Sequence, residues 1–209
     1  MSTLQVKPTR MELSNLKKRK AVAVRGHKLM KDKRDETVRR FIVYVRRNKE
    51  LRELAERKLA DAMNAFVLAR ASMTPDEIEE ALCYPARPAS VDVSTTHVLS
   101  IAVPELKLST TDDFSYPYGF ESTSAELDGA VRALAELLPL LIELAQAEKT
   151  CNLLADEIEK TRRRVNALEY VMIPQFEETI RRITMKLDEN ERANLTRLMK
   201  TKDMLAEKK

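Results

Sequence analysis

Two cysteines, Cys83 and Cys151, and two histidines, His27 and His97, are the side chains of this 209-residue sequence most suited to metal ligation or nucleophilic chemistry. Their spacing serves neither. Zinc sites draw Cys and His from pairs a few residues apart, and no Cys-x-x-Cys or His pair of that kind occurs. Both cysteines are therefore read as reduced thiols. Only three glycines are present, Gly26, Gly119 and Gly129, whereas a phosphate-cradling loop needs several at fixed spacing to bring backbone N–H groups against the anion. Carboxylates are abundant, but no Ser, Cys or His stands with them in a nucleophile–base arrangement. The expectation is a chain with no catalytic residue, no cofactor and no metal.

What remains is charge. Lys17-Lys18-Arg19-Lys20, followed by Lys28, Lys31, Lys33 and Arg34, has the look of a nucleic-acid footprint. However, Asp32, Asp35 and Glu36 interleave with it and no aromatic stacking platform accompanies it, so a solvated or protein-facing basic stripe is the better reading. Arg162-Arg163-Arg164 spans most of a helix circumference, so at least one of the three faces away from any packed seam. Such a ring of charge can meet acidic groups of a surrounding sleeve without a unique register, and i,i+4 pairing with Glu159 accounts for part of it. Gly26 sits in a helical stretch, where it costs roughly 0.5–1 kcal/mol relative to Ala. Either a close approach of another helix or subunit requires it, or it is a tolerated defect. His27 beside it is read as a packed or solvent-facing residue rather than a ligand.

The elements carrying these residues follow from composition and period. A third of the chain is charged and 5% is aromatic, with no Trp, the profile of long helices. Residues 1–72 hold 20 Lys and Arg against 8 Asp and Glu, residues 73–123 hold 2 against 9, and residues 124–209 hold 15 against 16, so a basic N-terminal segment precedes an acidic middle. From Thr9, an N-cap with Glu12 completing a capping box, to Ser72 the apolar positions Leu13, Leu16, Ala23, Met30, Val38, Phe41, Val45, Leu54, Ala55, Leu59, Ala62 and Phe66 form one stripe. A second stripe runs from Ser124 to about Leu205 through Leu127, Leu134, Leu138, Leu141, Leu154, Thr161, Val165, Met172, Phe176, Ile183, Leu195 and Leu198, with four-residue steps around Met172 and Phe176. At ~1.5 Å per residue these helices reach roughly 95 and 120 Å.

Helices of that length bury a single stripe only against each other or a partner. The fold class is therefore mainly α: a long antiparallel two-helix coiled coil from the segments 1–72 and 124–209. Arg10 then lies near the C-terminal end and Met73 near Val131. Pro139 and Pro174 are expected to kink or interrupt the second helix. The middle segment, 73–123, opens with a helix start at Thr74-Pro75-Asp76. It continues as a two-stranded hairpin over about 89–103, with Thr96-His97 as its turn. The N-terminus has no apolar signal region, and the run Ala133 to Ala147, broken by Glu136, Pro139 and Glu143, falls short of a membrane span of about 20 residues.

Three strings, PTRMELSNLKKR (Pro8–Arg19), GHKLMKDKRDE (Gly26–Glu36) and KTRRRVNALEYVMIP (Lys160–Pro174), resemble in order the D subunit of V-type and A-type ATPases, bacterial members above all. The resemblance implies a non-catalytic central-stalk rotor subunit, peripheral and on the cytoplasmic face of the membrane. It would turn inside a ring of catalytic A and nucleotide-binding B subunits, bind the small F subunit, and rest on a funnel-shaped subunit that links to the membrane rotor. Torque would pass between ATP hydrolysis or synthesis in the ring and H⁺ or Na⁺ transport. By the same analogy Lys17, Arg19, Lys20, Arg162, Arg163, Arg164, Leu195 and Leu198 are candidates for contact with the A/B ring. Val91, Val93, Leu99, Ile101 and Val103 of the hairpin are candidates for contact with the small F subunit, and the hairpin is a candidate for tuning coupling or turnover. No nucleic-acid partner and no membrane insertion are expected. The alternative is a stand-alone coiled-coil scaffold or adaptor, which the periodicity alone would support and the three strings would not.

Overall fold

The computed structural model describes residues 6–85, 88–110, 115–119 and 123–207. The outer ends of the N- and C-terminal segments and parts of the middle segment (86–87, 111–114 and 120–122) lie outside the described residues. The element order is α1 (Arg10–Ser72), α2 (Pro75–Leu82), β1 (Ala89–Val98), β2 (Ile101–Thr110), α3 (Ala125–Ala167), a π-turn (Leu168–Met172) and α4 (Ile173–Glu207). The chain divides into two compact units, one of Met1–Glu36 with Ile158–Lys209, the other of Thr37–Glu157. In each, the long N-terminal helix packs against the long C-terminal one, and the fold is mainly α with a small hairpin and a short helix in the middle.

α1 starts where the capping residue sits: the Glu12 N–H donates to Thr9 Oγ1 at 3.2 Å and the Leu13 N–H to the Thr9 carbonyl at 3.0 Å. α2 carries a complete capping box. Thr74 N–H donates to a Glu77 carboxylate oxygen at 2.8 Å, and Glu77 N–H donates to Thr74 Oγ1 at 3.4 Å, so two orphan donors satisfy each other's residues. The Thr74 backbone bond holds the Glu77 carboxyl below its ordinary pKa.

In the first unit Leu16, Phe176 and Ile183 form the core, flanked by Leu13, Ala23, Ile180 and Leu187. Antiparallel register is marked by ion pairs between Arg10 and Glu191 and between Lys20 and Glu177 at 3.0 Å, and by a contact between His27 Nε2 and Glu169 Oε2 at 3.3 Å. The second unit is built differently. α1 contributes Leu51 and the alanines Ala55, Ala62 and Ala69, and α3 contributes Leu127, Ala130, Leu137, Cys151 and Leu154, all buried. Ala69, Ala81 and Leu127 cluster, with Met73 and Val131 packed against them, the juxtaposition of Met73 and Val131 that an antiparallel pairing requires. Arg47 and Arg52 bridge to Glu143 and Glu148 at 2.7 and 2.5 Å. Asn48 Oδ1 is buried with no hydrogen-bond partner among the described residues.

The stripe is not everywhere the expected one. Val45, Leu54 and Leu59 are exposed, as are Leu134, Leu138 and Leu141, while Thr37, Leu51, Ala69, Ala130 and Leu137 are buried. Of that buried set, Thr37, Ala69 and Ala130 are small or hydroxyl side chains that hydropathy underweights, while Leu51 and Leu137 stand among other leucines. A hydroxyl enters such a seam cheaply when it bonds its own helix, as Thr150 and Thr179 do by donating to the carbonyls of Gln146 and Gln175 at 2.8 and 2.7 Å.

The two prolines part company. α3 continues through Pro139 without a break. Pro139 is exposed, so the carbonyl that loses its N–H partner can turn toward water. Ahead of Pro174 the helix widens into the π-turn, closed by the Ile173 N–H donating to the Leu168 carbonyl. Proline lacks the N–H and its ring crowds the carbonyl four residues back; one residue added to the turn moves that carbonyl aside.

The hairpin also differs from expectation. Its strands run to Val98 and resume at Ile101 in antiparallel register from Val98↔Ile101 to Ala89↔Thr110. The turn is therefore Leu99-Ser100 rather than Thr96-His97, and the ladder continues beyond residue 103. Both turn residues have positive φ, 50° and 69°, as a two-residue type I′ turn demands. Thr95 and Thr96, β-branched, stay in the strand.

Candidate functional site

The described residues contain no group of three or more His, Cys, Asp and Glu placed to hold a metal ion, and no described helix is long and apolar enough to cross a membrane. Cys83 is an exposed free thiol and Cys151 a buried one, whose pKa burial pushes up. Tyr118 donates to Asp128 at 2.8 Å; burial first, and that bond second, raise its pKa well above the usual value for a phenol. These bonds fix the chain leading into α3. The residues with something to offer lie on the surface.

Of the basic candidates, Lys17 and Arg19 are exposed on α1, whereas Lys20 is half-buried and engaged by Glu177 of its own unit. Arg162, Arg163 and Arg164 are all exposed. Arg163 donates to Glu159 one turn earlier, which answers for one member of the triplet; the other two point their charge outward. Gly26 has no atom within 4 Å of where a Cβ would stand, so no close approach among the described residues requires it. His27 makes the contact to Glu169 already described.

The candidates at the end of α4, Leu195 and Leu198, are 57% and 66% exposed, and Met199, Met204 and Leu205 are exposed with them. Beyond Glu191, the partner of Arg10 at the start of α1, no described residue of α4 is buried. Burying five large apolar side chains is worth about 1.5–3 kcal/mol each, and among the described residues that burial has not been made.

On the hairpin the two faces have opposite fates. Paired residues share a face, so Val98, Ile101 and Val103 lie on one face and Val91, Val93, Leu106 and Leu108 on the other. Val103 is 4% exposed and Ile101 half-buried, so these two candidates seat the hairpin on its own unit. Val91 and Val93 are exposed and Leu99 is half-buried at the turn. The outer edge of β2 is tied down by the Leu106 N–H, which donates to Gln146 Oε1 of α3 at 3.0 Å. Pro104 lies two residues earlier on that same edge, where it has no N–H to satisfy. Among the described residues no further strand pairs with the outer edge of β1. Leu106 and Leu108, half-buried on the same face as Val91 and Val93, were missed because the expected hairpin ended at residue 103. Tyr170, Val171 and Met172 in the π-turn were also missed as surface residues, although Pro174 was the available signal.

A fold whose non-sequential packing is an antiparallel pairing of two charged, alanine- and leucine-rich helices, with exposed apolar ends and no catalytic cluster among the described residues, defines a class of helical stalk and scaffold proteins. The family model for the D subunit of ATP synthase matches residues 12–203. The V-type ATP synthase D subunit of Acetivibrio thermocellus is 58% identical, covering 99% of this chain and 95% of that protein. Those of Clostridium botulinum strain Langeland and Thermoanaerobacter sp. strain X514 are 56% and 53% identical, each covering 98% of this chain and 97% and 99% of the respective relatives. The chain belongs to the ATP synthase D-subunit family, and within it stands with the members from bacterial V-type complexes.

Proposed function

We propose that this chain is the central rotor shaft of a bacterial V-type rotary ATPase. It carries torque between ATP hydrolysis or synthesis in a ring of A and B subunits and H⁺ or Na⁺ transport by the membrane rotor, on the cytoplasmic face, and performs no catalysis itself. In this reading residues 1–72 and 124–209 are the two shaft segments and 73–123 is a middle segment that carries the hairpin. Lys17, Arg19, Arg162, Arg164, Leu195 and Leu198 meet the A/B ring, with Lys20 and Arg163 acting mainly through their own ion pairs. Val91, Val93 and Leu99 meet the small F subunit, and a funnel-shaped subunit joins the shaft to the membrane ring.

The observation that carries the reading is the unburied apolar stripe of α4 beyond Glu191. It is a helix end made for a surrounding protein surface, on a chain whose family assembles into a V-type ATP synthase. A torque carrier needs continuous backbone hydrogen bonding, which α1 offers from Arg10 to Ser72, an interlocked seam, and an exterior polar enough to pass from one neighbour to the next.

Mixing the purified chain with the A and B subunits of its own organism, with and without the small F subunit, tests this by complex mass and ATP turnover. The expected result is one copy on a six-subunit ring, with turnover changed by its presence. Failure to bind a ring that assembles on its own would leave a stand-alone scaffold as the function.

A further inference from the structure

On the C-terminal side of the first unit, the residues that turn inward follow one period with a single exception. Ile158, Thr161, Val165 and Leu168 are buried or half-buried at steps of three, four and three residues. Ile173, Phe176, Ile180, Ile183 and Leu187 continue at steps of three, four, three and four, and the last four of them belong to the core cluster. Thr179 is buried on the flank of this line, its hydroxyl donating to the Gln175 carbonyl. Between Leu168 and Ile173 the step is five. A heptad seam alternates three and four, so this stretch is one residue too long. On α1 the facing line, Leu13, Leu16, Lys20, Ala23, His27, Met30 and Arg34, alternates three and four throughout.

The five-residue step coincides with the π-turn, whose closing bond runs from the Ile173 N–H to the Leu168 carbonyl. One residue added to an α-helix rotates everything after it by about 100°. Widening the turn instead absorbs that residue, and the side chains beyond return to the same face. A proline alone does not call for this. α3 passes Pro139 without a break, and there Leu137, Leu140, Leu144, Ala147 and Cys151 keep steps of three, four, three and four. What Pro174 adds is location. Its ring would crowd the Tyr170 carbonyl of a straight helix, so the widened turn lies there rather than elsewhere between Val165 and Phe176.

We propose that Leu168–Met172 holds one residue more than the seam uses, that the turn stays widened to keep the residues after it facing α1, and that Pro174 fixes where the surplus is held. Everything after the turn moves with it, so the surplus residue also sets the direction in which the free end of α4, with Leu195 and Leu198, faces.

Variants of the full-length chain on its own test it, read by thermal unfolding and by hydrogen exchange resolved along the sequence. Deletion of Val171 together with Pro174→Ala removes the surplus residue and the ring that a straight helix would not admit. That variant should melt within about 3 °C of wild type and keep Ile180 to Leu187 protected. Deletion of Val24 is the matched control: Val24 is as exposed as Val171, 45% against 49%, but lies on a helix with no residue to spare. It should lower the melting temperature by more than about 10 °C and open residues 10–23 to exchange. Pro174→Ala alone should melt near wild type, keep Ile180 to Leu187 protected and speed exchange across 165–176, where the freed turn can shift. If the Val171 deletion with Pro174→Ala cost as much as the Val24 deletion, the residue would not be surplus: Glu177 and Arg181 would have been carried into the places of Phe176 and Ile180. Equal tolerance of both deletions would also overturn the proposal, because phase would then not govern this seam. Unchanged exchange across 165–176 in Pro174→Ala would overturn the part given to the proline.

Discussion

The two units solve the same packing problem with different materials. In the first, bulky side chains, Leu16, Phe176 and Ile183, interlock; in the second, α1 presents Ala55, Ala62 and Ala69 to the seam. A bulky seam derives its stability from the apolar area removed from water. An alanine seam gains from close approach of the backbones and is intolerant of added volume. On α1 the same period-seven logic thus produces a position hurt by truncation at Leu16 in the first unit and positions hurt by enlargement at the alanines of the second.

Leu16→Ala should produce the largest effect, a loss of about 2–5 kcal/mol in denaturant titration of the intact chain. A loss under about 1 kcal/mol would show that the first unit's seam is not the tight one. Ala62→Leu should cost about 1–3 kcal/mol by overpacking, while Ala60→Leu, at an exposed position, should stay within about 0.5 kcal/mol of wild type. Equal effects at 60 and 62 would dissolve the contrast. Thr74→Ala, which strips the hydroxyl from the cap of α2 in the second unit, should cost about 1 kcal/mol.

The smallest effect is a pH dependence. Glu77 is held below its ordinary value of 4.5, so its contribution to stability is in place above that value and fades as pH falls through the lower folded value. Unfolding midpoints of Glu77→Gln measured between neutral and acid pH should show a flatter acid-side decline than wild type. A parallel curve would mean that the cap carries no charge-dependent stability.

How much of this was legible in the sequence depended on the kind of residue. The Thr9 cap, the helix start at Thr74-Pro75, the antiparallel pairing of the long helices and the core positions Leu16, Val165, Phe176 and Ile183 follow from helix-start chemistry and from large apolar groups at helical spacing. The alanine seam was legible only in part, at Ala55 and Ala62. Alanine has little hydropathy to signal burial, so Val45, Leu54 and Leu59 stood out in its place, and Leu137 was hidden by leucines on either side. Thr37 is buried at a position that polarity alone assigns to solvent.

The hairpin turn was misplaced because Leu99-Ser100 carries none of the Asn, Asp or Gly that usually marks positive φ. The strand register, not local preference, holds it there. Among the site candidates, exposure of Lys17, Arg19 and the arginine triplet followed from charge. That Lys20 is consumed by Glu177 and Val103 by the chain's own packing depends on contacts between distant segments, which no local pattern records.

The alanine ladder has a consequence for alignment. Ala55, Ala62 and Ala69 recur every seven residues, so a helix sliding along its neighbour by two turns would find the same small side chain waiting, and these rungs alone cannot distinguish one stop from the next. One heptad earlier the repeat is broken by Asn48, whose carbonyl oxygen is buried and unmatched among the described residues. With Arg47 and Arg52 reaching across on either side of it, Asn48 serves as the index mark of an otherwise uniform scale: a slip would carry that amide into a position meant for a methyl group.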